Sequence, residues 1–234
     1  MTSFQGYALA LVAVWIFVVA VRFRRSTPVL IGGLVAVALY AALEVVRGVV
    51  PIVELGLSAD VSWAKTIALV VVWLALMLAY SPIADRLATR LVAEPPTLGA
   101  FKAIQESRAK LVAGIVVAWI LGGFLEELVF RGIVLKAVEA LASGWIPGAG
   151  AAAIAICVAA AGAGVMHLYQ GPRAAIIITQ LSVLFGALFV ISGYNLWAVI
   201  LCHGIYDTIA FIRFATKKSR YSALDGDRGA MPAA

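Results

Sequence analysis

The amino-acid sequence predicts an all-α fold, a polytopic bundle of transmembrane helices with about seven spans. Composition is the first observation, because 64% of the 234 residues are hydrophobic and only 13% are charged. Soluble domains are about a quarter charged, so this chain has too few polar residues to cover a globule in water. The second observation is that the apolar residues form runs of about 20, the length that a helix needs to cross a bilayer. The third is that basic residues cluster at the ends of these runs.

Seven apolar runs are long enough to be membrane spans. In chain order they cover residues 4–23, 28–50, 61–80, 111–141, 148–169, 173–192 and 196–214. The charges of the first run follow it instead of preceding it, which is the wrong order for a cleaved secretory signal. We therefore expect this run to stay in the membrane, with the N-terminus outside.

The distribution of charge predicts the orientation of the bundle. With the N-terminus outside, the acidic loop 54–60 lies outside, whereas the basic loop 81–110 and the basic tail after residue 216 lie inside. Every basic cluster then falls on the cytoplasmic side. We expect an integral protein of a bacterial or archaeal cell membrane with a cytoplasmic C-terminus. The net charge of +6 forms no basic and aromatic face, so no nucleic-acid partner is expected.

The fourth run is unusually long. Its 31 residues would span about 46 Å as a helix, well above the roughly 30 Å of the hydrocarbon core. It must tilt, kink or extend into the cytoplasm, and Gly122 and Gly123 are the expected bend. Splitting the run gives an alternative with eight spans, but that would place the basic tail outside, so seven are preferred.

Three parts of the chain differ in character. Residues 1–110 hold three spans and a long cytoplasmic loop without a recognisable motif. Residues 111–214 hold four spans that carry ionisable side chains, which makes them the expected functional core. Residues 215–234 have no apolar periodicity, so we expect a disordered basic tail.

The fourth run contains an unusual group of charges, Glu126, Glu127 and Arg131. A charge at mid-bilayer costs several kcal/mol by most estimates, so charges that persist there are candidates for function. Glu127 and Arg131 are four residues apart and can pair on one helix face. Glu126 lies about 100° away around the axis and has no cation on its own helix. An unpaired carboxylate in a dry site is suited to act as a general base.

Two further runs carry the only histidines of the chain, His167 and His203. His203 and Asp207 share a helix face at i and i+4, so the carboxylate can orient the imidazole. Small residues beside the histidines allow neighbouring helices to approach closely; they are Gly162, Gly164 and Gly204. A buried Glu–Arg pair or a lone histidine is often purely structural. Three helices that all carry such groups, in a chain with so few charges, favour a functional site.

The spacing of these residues resembles the motifs of the CPBP family, which comprises CAAX proteases and bacteriocin-processing enzymes and is also called the ABI family. Glu126, Glu127 and Arg131 match its EExxxR motif, and His203 with Asp207 match its HxxxN or HxxxD motif. His167 matches the histidine of its FxxxH motif, although Ala163 replaces the phenylalanine. The resemblance covers roughly residues 111–214.

This resemblance implies an intramembrane endopeptidase that cleaves a membrane-associated protein or peptide, in CAAX-type or bacteriocin-related processing. It implies that Glu126 activates a water held with the help of His167, and that His203 and Asp207 stabilise the oxyanion. Glu127 and Arg131 would support the geometry. Asp207 is the less usual residue at its position, because an ionised carboxylate cannot donate a hydrogen bond as an asparagine amide does.

Alternatives remain at this point. Glu126, His167, His203 and Asp207 are ligand types that could hold zinc, although the chain lacks an HExxH motif; we expect no cofactor. A non-catalytic scaffold or a proton-coupled transporter would also use buried charges. The expected site has one difficulty, since His167 lies near the end of its run and His203 lies near the middle of its own.

Overall fold

The computed structural model describes residues 2–23 and 26–228. Within these residues seven helices are long and apolar enough to cross a membrane, which confirms the predicted all-α bundle of seven spans. The chain is an integral membrane protein. The helices are α1 (Ser3–Val18), α2 (Thr27–Val46), α3 (Trp63–Leu91), α4 (Arg108–Ala142), α5 (Ala149–Met166), α6 (Pro172–Ile191) and α7 (Leu196–Arg228).

The last helix is longer than expected. Helical backbone continues to Arg228, although the sequence predicts a disordered tail from residue 215. For residues 229–234, which lie outside the described residues, the tail stays a prediction. Arg24 and Arg25, which lie between the first two predicted spans, also lie outside them.

Helix α4 forms the centre of the bundle and is not a regular α-helix. Two stretches, Trp119–Glu126 and Leu128–Leu135, have the wider π-helical hydrogen bonding, which occurs frequently at functional sites. All eight residues of the second stretch are buried. The expected bend at Gly122 and Gly123 falls inside the first stretch, so the irregular geometry lies where the long fourth run was expected to deviate.

Glycines allow the helices that carry the polar residues to pack closely, as predicted. A Cβ atom on Gly164 of α5 would lie 1.9 Å from Thr179 Oγ1 of α6. One on Gly204 of α7 would lie 2.5 Å from the ring of Trp119 in α4. Both helix pairs are therefore closer than any larger residue would permit.

Polar contacts hold α6 against α3. Arg173 Nη2 lies 2.7 Å from Asp85 Oδ1, and the Tyr80 hydroxyl donates to Gln180 Oε1 over 2.9 Å. Trp73 Nε1 donates to the carbonyl of Leu184 over 3.0 Å. These contacts fix the position of α6, whose opposite face packs on α4 and α7.

Helix α7 begins deep within the bundle. A short turn, Ile52–Leu55, ends at Gly56, whose carbonyl accepts a 2.9 Å hydrogen bond from the Leu196 amide. A Cβ atom on Gly132 would lie 2.9 Å from the carbonyl oxygen of Leu55 and 3.6 Å from Leu196 Cδ2. The start of α7 is therefore level with Gly132, ten residues before the end of α4 at Ala142.

Candidate active site

The depth at which α7 begins brings the predicted polar residues to one level. Glu126 is six residues from Gly132 along α4, and His203 is seven residues from Leu196 along α7; both distances are about 10 Å at the helical rise. His167 follows the last residue of α5, Met166, at the same level as Glu126. The depth at which α7 begins therefore accounts for the meeting of His203 with Glu126 and His167.

Glu126 and His167 face each other. His167 Nε2 lies 4.0 Å from Glu126 Oε1, and the two side chains are 15% and 20% exposed, so neither is fully enclosed by the bundle. His167 Nδ1 lies 2.8 Å from the carbonyl oxygen of Ala163, which can only accept a hydrogen bond. Nδ1 therefore carries the hydrogen, and in the neutral ring Nε2 presents a lone pair toward Glu126.

Glu127 is the nearest carboxylate to His203. His203 Nδ1 lies 2.5 Å from Glu127 Oε1, whereas His203 Nε2 lies 3.5 Å from Asp207 Oδ2. The sequence predicts Asp207 as the residue that orients this imidazole. In the structure Glu127 makes the short contact, and Asp207 faces the opposite nitrogen at a longer distance. Carboxylates thus face both ring nitrogens.

The predicted pair of Glu127 and Arg131 is present and fully buried. Arg131 Nη1 donates to Glu127 Oε1 over 3.1 Å, and the side chains are 2% and 0% exposed. The same carboxylate oxygen contacts both Arg131 and His203, so Glu127 joins the two. Glu127 Oε2 and Arg131 Nε have no hydrogen-bond partner within the described residues.

Two residues of α6 complete the group and were not predicted from the sequence. Arg131 Nη2 donates to the Ser182 hydroxyl over 2.6 Å and to the Ser182 carbonyl over 2.9 Å. The Phe185 ring stacks on His203 with centroids 4.6 Å apart and lies 5.5 Å from the Arg131 guanidinium carbon. The sequence marks Ser182 only as a serine in an apolar span. It does not mark Phe185 at all, because phenylalanine is common in membrane helices.

Gly122 provides space for the site. A Cβ atom at this position would lie 3.1 Å from Asp207 Oδ2 and 3.4 Å from His203 Nε2. Any side chain longer than a methyl group would occupy the space in front of this carboxylate and imidazole. The glycine that the sequence marks as a bend therefore also lets the α4 backbone pass beside the polar residues of α7.

Four of the site residues, Glu126, His167, His203 and Asp207, are of the ligand types that could hold zinc. No group of three or more His, Cys, Asp or Glu side chains that could hold a metal ion occurs in the part of the chain that the structure describes. His203 already directs one nitrogen at Glu127 and the other toward Asp207. The absence of a cofactor stays a prediction, and no step below is derived through a metal.

Comparison with known proteins gave one family match. Residues 108–209 match the family model described as Type II CAAX prenyl endopeptidase Rce1-like. The matched segment contains all six predicted site residues, from Glu126 to Asp207, and it spans α4 to the middle of α7. No curated protein and no solved structure matches the chain.

Proposed function

We propose that this chain, whose residues 108–209 match the Rce1-like family model of type II CAAX prenyl endopeptidases, is an intramembrane endopeptidase in which Glu126 activates the attacking water. The family acts on membrane-associated protein substrates. A prenylated CAAX-type protein or a bacteriocin-related peptide is the proposed substrate class. The observation that carries the proposal is the partly exposed Glu126 carboxylate, which faces His167 Nε2 across 4.0 Å.

The first step requires a base and an acceptor on opposite sides of one water. A separation of 4.0 Å is too long for a direct hydrogen bond, and a bridging water serves such polar pairs. Glu126 takes one proton of this water, and His167 Nε2 accepts a hydrogen bond from the other. The resulting hydroxide attacks the scissile carbonyl carbon. Glu126 then delivers its proton to the leaving amine, which balances the reaction.

The second requirement is stabilisation of the oxyanion. In the proposal His203 is an imidazolium, with Nδ1–H directed at Glu127 and Nε2–H available to the developing charge. Counter-charges at 2.5 Å and 3.5 Å support that form of the ring. Glu127, Arg131 and Ser182 hold the imidazole in place from behind.

Product analysis by mass spectrometry tests the function in cells. Membranes from cells that express the wild type, Glu126→Gln or Glu44→Gln are compared for new peptide C-termini. Glu44→Gln is a matched control, because Glu44 is also a buried carboxylate, 7% exposed and hydrogen-bonded by Arg47, but lies in α2 away from the site. We expect new C-termini with the wild type and the control, and none with Glu126→Gln at equal protein levels.

Three outcomes would contradict the proposal. Products that persist in Glu126→Gln would show that another group activates the water. A cellular phenotype without any cleaved product, unchanged by the substitution, would indicate a scaffold. Proton-coupled flux through the purified protein, without hydrolysis, would indicate a transporter. A chelator separates the metal alternative, since a glutamate-type enzyme keeps its activity and a zinc enzyme loses it.

A further inference from the structure

The candidate site lacks one hydrogen-bond donor. An asparagine amide at position 207 could donate to an oxyanion, but an ionised Asp207 can only accept. The His203 Nε2 hydrogen that would serve the oxyanion has a competing acceptor in Asp207 Oδ2, 3.5 Å away. An oxyanion site of this kind is normally formed by two or more preorganised donors. A further neutral donor close to Glu126 and Asp207 would supply what the carboxylate cannot.

Tyr169 is the candidate for this role, because its ring lies beside that of His167. It belongs to the short turn His167–Gln170 that follows α5, and its ring centroid is 5.9 Å from that of His167. The Glu126 and Asp207 carboxylates both contribute to the electrostatic environment of the Tyr169 hydroxyl. The turn is held from outside, because the Thr97 amide donates to the Gln170 carbonyl over 2.8 Å.

The hydrogen bonds of Tyr169 leave its proton free. Gln170 Nε2 donates to the Tyr169 oxygen over 2.7 Å, and Gln170 itself is buried with 8% exposed. The phenol oxygen therefore accepts, and its own hydrogen has no acceptor within the described residues. Tyr206, which precedes Asp207, differs in this respect because its hydroxyl already donates to Ser81 Oγ over 3.0 Å. Of these two tyrosines beside the site, only Tyr169 has an uncommitted donor.

We propose that Tyr169 is a catalytic residue whose hydroxyl donates a hydrogen bond to the oxyanion of the tetrahedral intermediate, in place of the amide that Asp207 lacks. Gln170 is a positioning residue, because its amide fixes the phenol oxygen and directs the phenol hydrogen away from itself. The inference rests on the proposed endopeptidase function and adds a specific donor to it. No proton is transferred in this step, so the phenol stays neutral throughout.

A substitution cycle on the full-length protein in nanodiscs tests the assignment. The probes are a quenched fluorescent peptide that ends in a farnesylated CAAX sequence and the same peptide without the farnesyl group. Tyr169→Phe removes only the hydroxyl, and Tyr206→Phe is the matched control because its hydroxyl is committed to Ser81. We expect Tyr169→Phe to lower kcat at least about tenfold with KM within twofold, since loss of one oxyanion donor typically costs 10²–10³.

The second part of the experiment tests whether an amide at position 207 can replace the Tyr169 hydroxyl. In an Asp207→Asn background the amide supplies a donor, so Tyr169→Phe is expected to change kcat only about twofold. An equal loss in both backgrounds would assign Tyr169 a merely structural role and overturn the inference. A wild-type kcat in Tyr169→Phe would also overturn the inference. So would an inactive Asp207→Asn, because an amide at position 207 could then not supply the donor that Tyr169 provides.

Failure of the function itself is distinguishable from failure of the inference. If the wild type cleaves neither probe faster than Glu126→Gln does, and no cellular product depends on Glu126, the endopeptidase proposal falls and the Tyr169 assignment with it. If the wild type cleaves and Tyr169→Phe behaves like Tyr206→Phe, only the Tyr169 assignment falls.

Discussion

Ser182→Ala removes the hydroxyl that holds Arg131 on α6, and its effect can be worked from the contacts. The lost hydrogen bond is 2.6 Å long, is made to a charged group and involves side chains that are almost fully buried. Hydrogen bonds to charged groups contribute about 1.5–3 kcal/mol. The Ser182 carbonyl still accepts from Arg131 Nη2 over 2.9 Å, so the lower half of that range is expected. We predict a loss of about 2 kcal/mol in the free energy of unfolding.

The assay combines stability with a signal from the site. Unfolding is followed by reversible SDS titration in mixed micelles, with Ser143→Ala as the control. Ser143 is exposed and donates to the Glu139 carbonyl from the position just after the end of α4, so its loss should stay within about 0.5 kcal/mol. Because the chain contains only two histidines, imidazole NMR resolves both. Ser182→Ala should shift the His203 signals through Arg131 and leave those of His167 unchanged.

Two results would refute this reasoning. If Ser182→Ala is as stable as Ser143→Ala, the short contact with Arg131 does not stabilise the buried pair. If stability falls but the His203 signals stay unchanged, Glu127 does not connect Arg131 with the imidazole. Ser182→Thr retains the hydroxyl and is expected to restore the His203 signals.

Two further predictions concern packing and pH. Gly164→Val should lower the free energy of unfolding of the bundle by about 1–3 kcal/mol, because the added Cβ would lie 1.9 Å from Thr179 Oγ1. Thr179→Ala should relieve part of this loss. Equal losses with and without Thr179→Ala would contradict the predicted clash. Burial, with the hydrogen bond to Glu139 as the next cause, raises the pKa of Tyr194 to about 12 in the loop between α6 and α7. Since this pKa is raised on folding, the stability it contributes is complete below pH 10 and is lost as the pH rises toward 12. Ultraviolet titration should therefore show tyrosinate absorbance that develops only as the pH approaches 12 and that falls by one tyrosine in Tyr194→Phe. An unchanged late absorbance in Tyr194→Phe would contradict the prediction.

The spans could be predicted because run length and loop charge are local properties of the sequence. Each apolar run needs about 20 residues to cross the bilayer, whereas the side on which the basic clusters lie stays a prediction. The pairing of Glu127 with Arg131 could be predicted for the same reason, since residues four apart share a helix face. The predictions that the structure confirms thus depend on spacing within one helix.

The contact between Glu127 and His203 could not be predicted, because it depends on how deep α7 begins. That depth is set by the hydrogen bond from the Leu196 amide to the Gly56 carbonyl, which joins residues 140 positions apart. Run lengths place both ends of every span near a membrane surface and therefore gave His203 the wrong level relative to His167. Ser182 and Phe185 were missed for a related reason, as their roles come only from the helices that α6 faces.

The central claim is that turnover depends on the Glu126 carboxylate in a site whose imidazoles are otherwise intact. The most direct measurement is the cleavage rate of purified Glu126→Gln with its histidine NMR spectrum recorded on the same sample. The account predicts a rate at least about 10²-fold below the wild type, the usual contribution of a general base, with the His203 signals in their wild-type positions. A rate near that of the wild type, with the same spectrum, would contradict it.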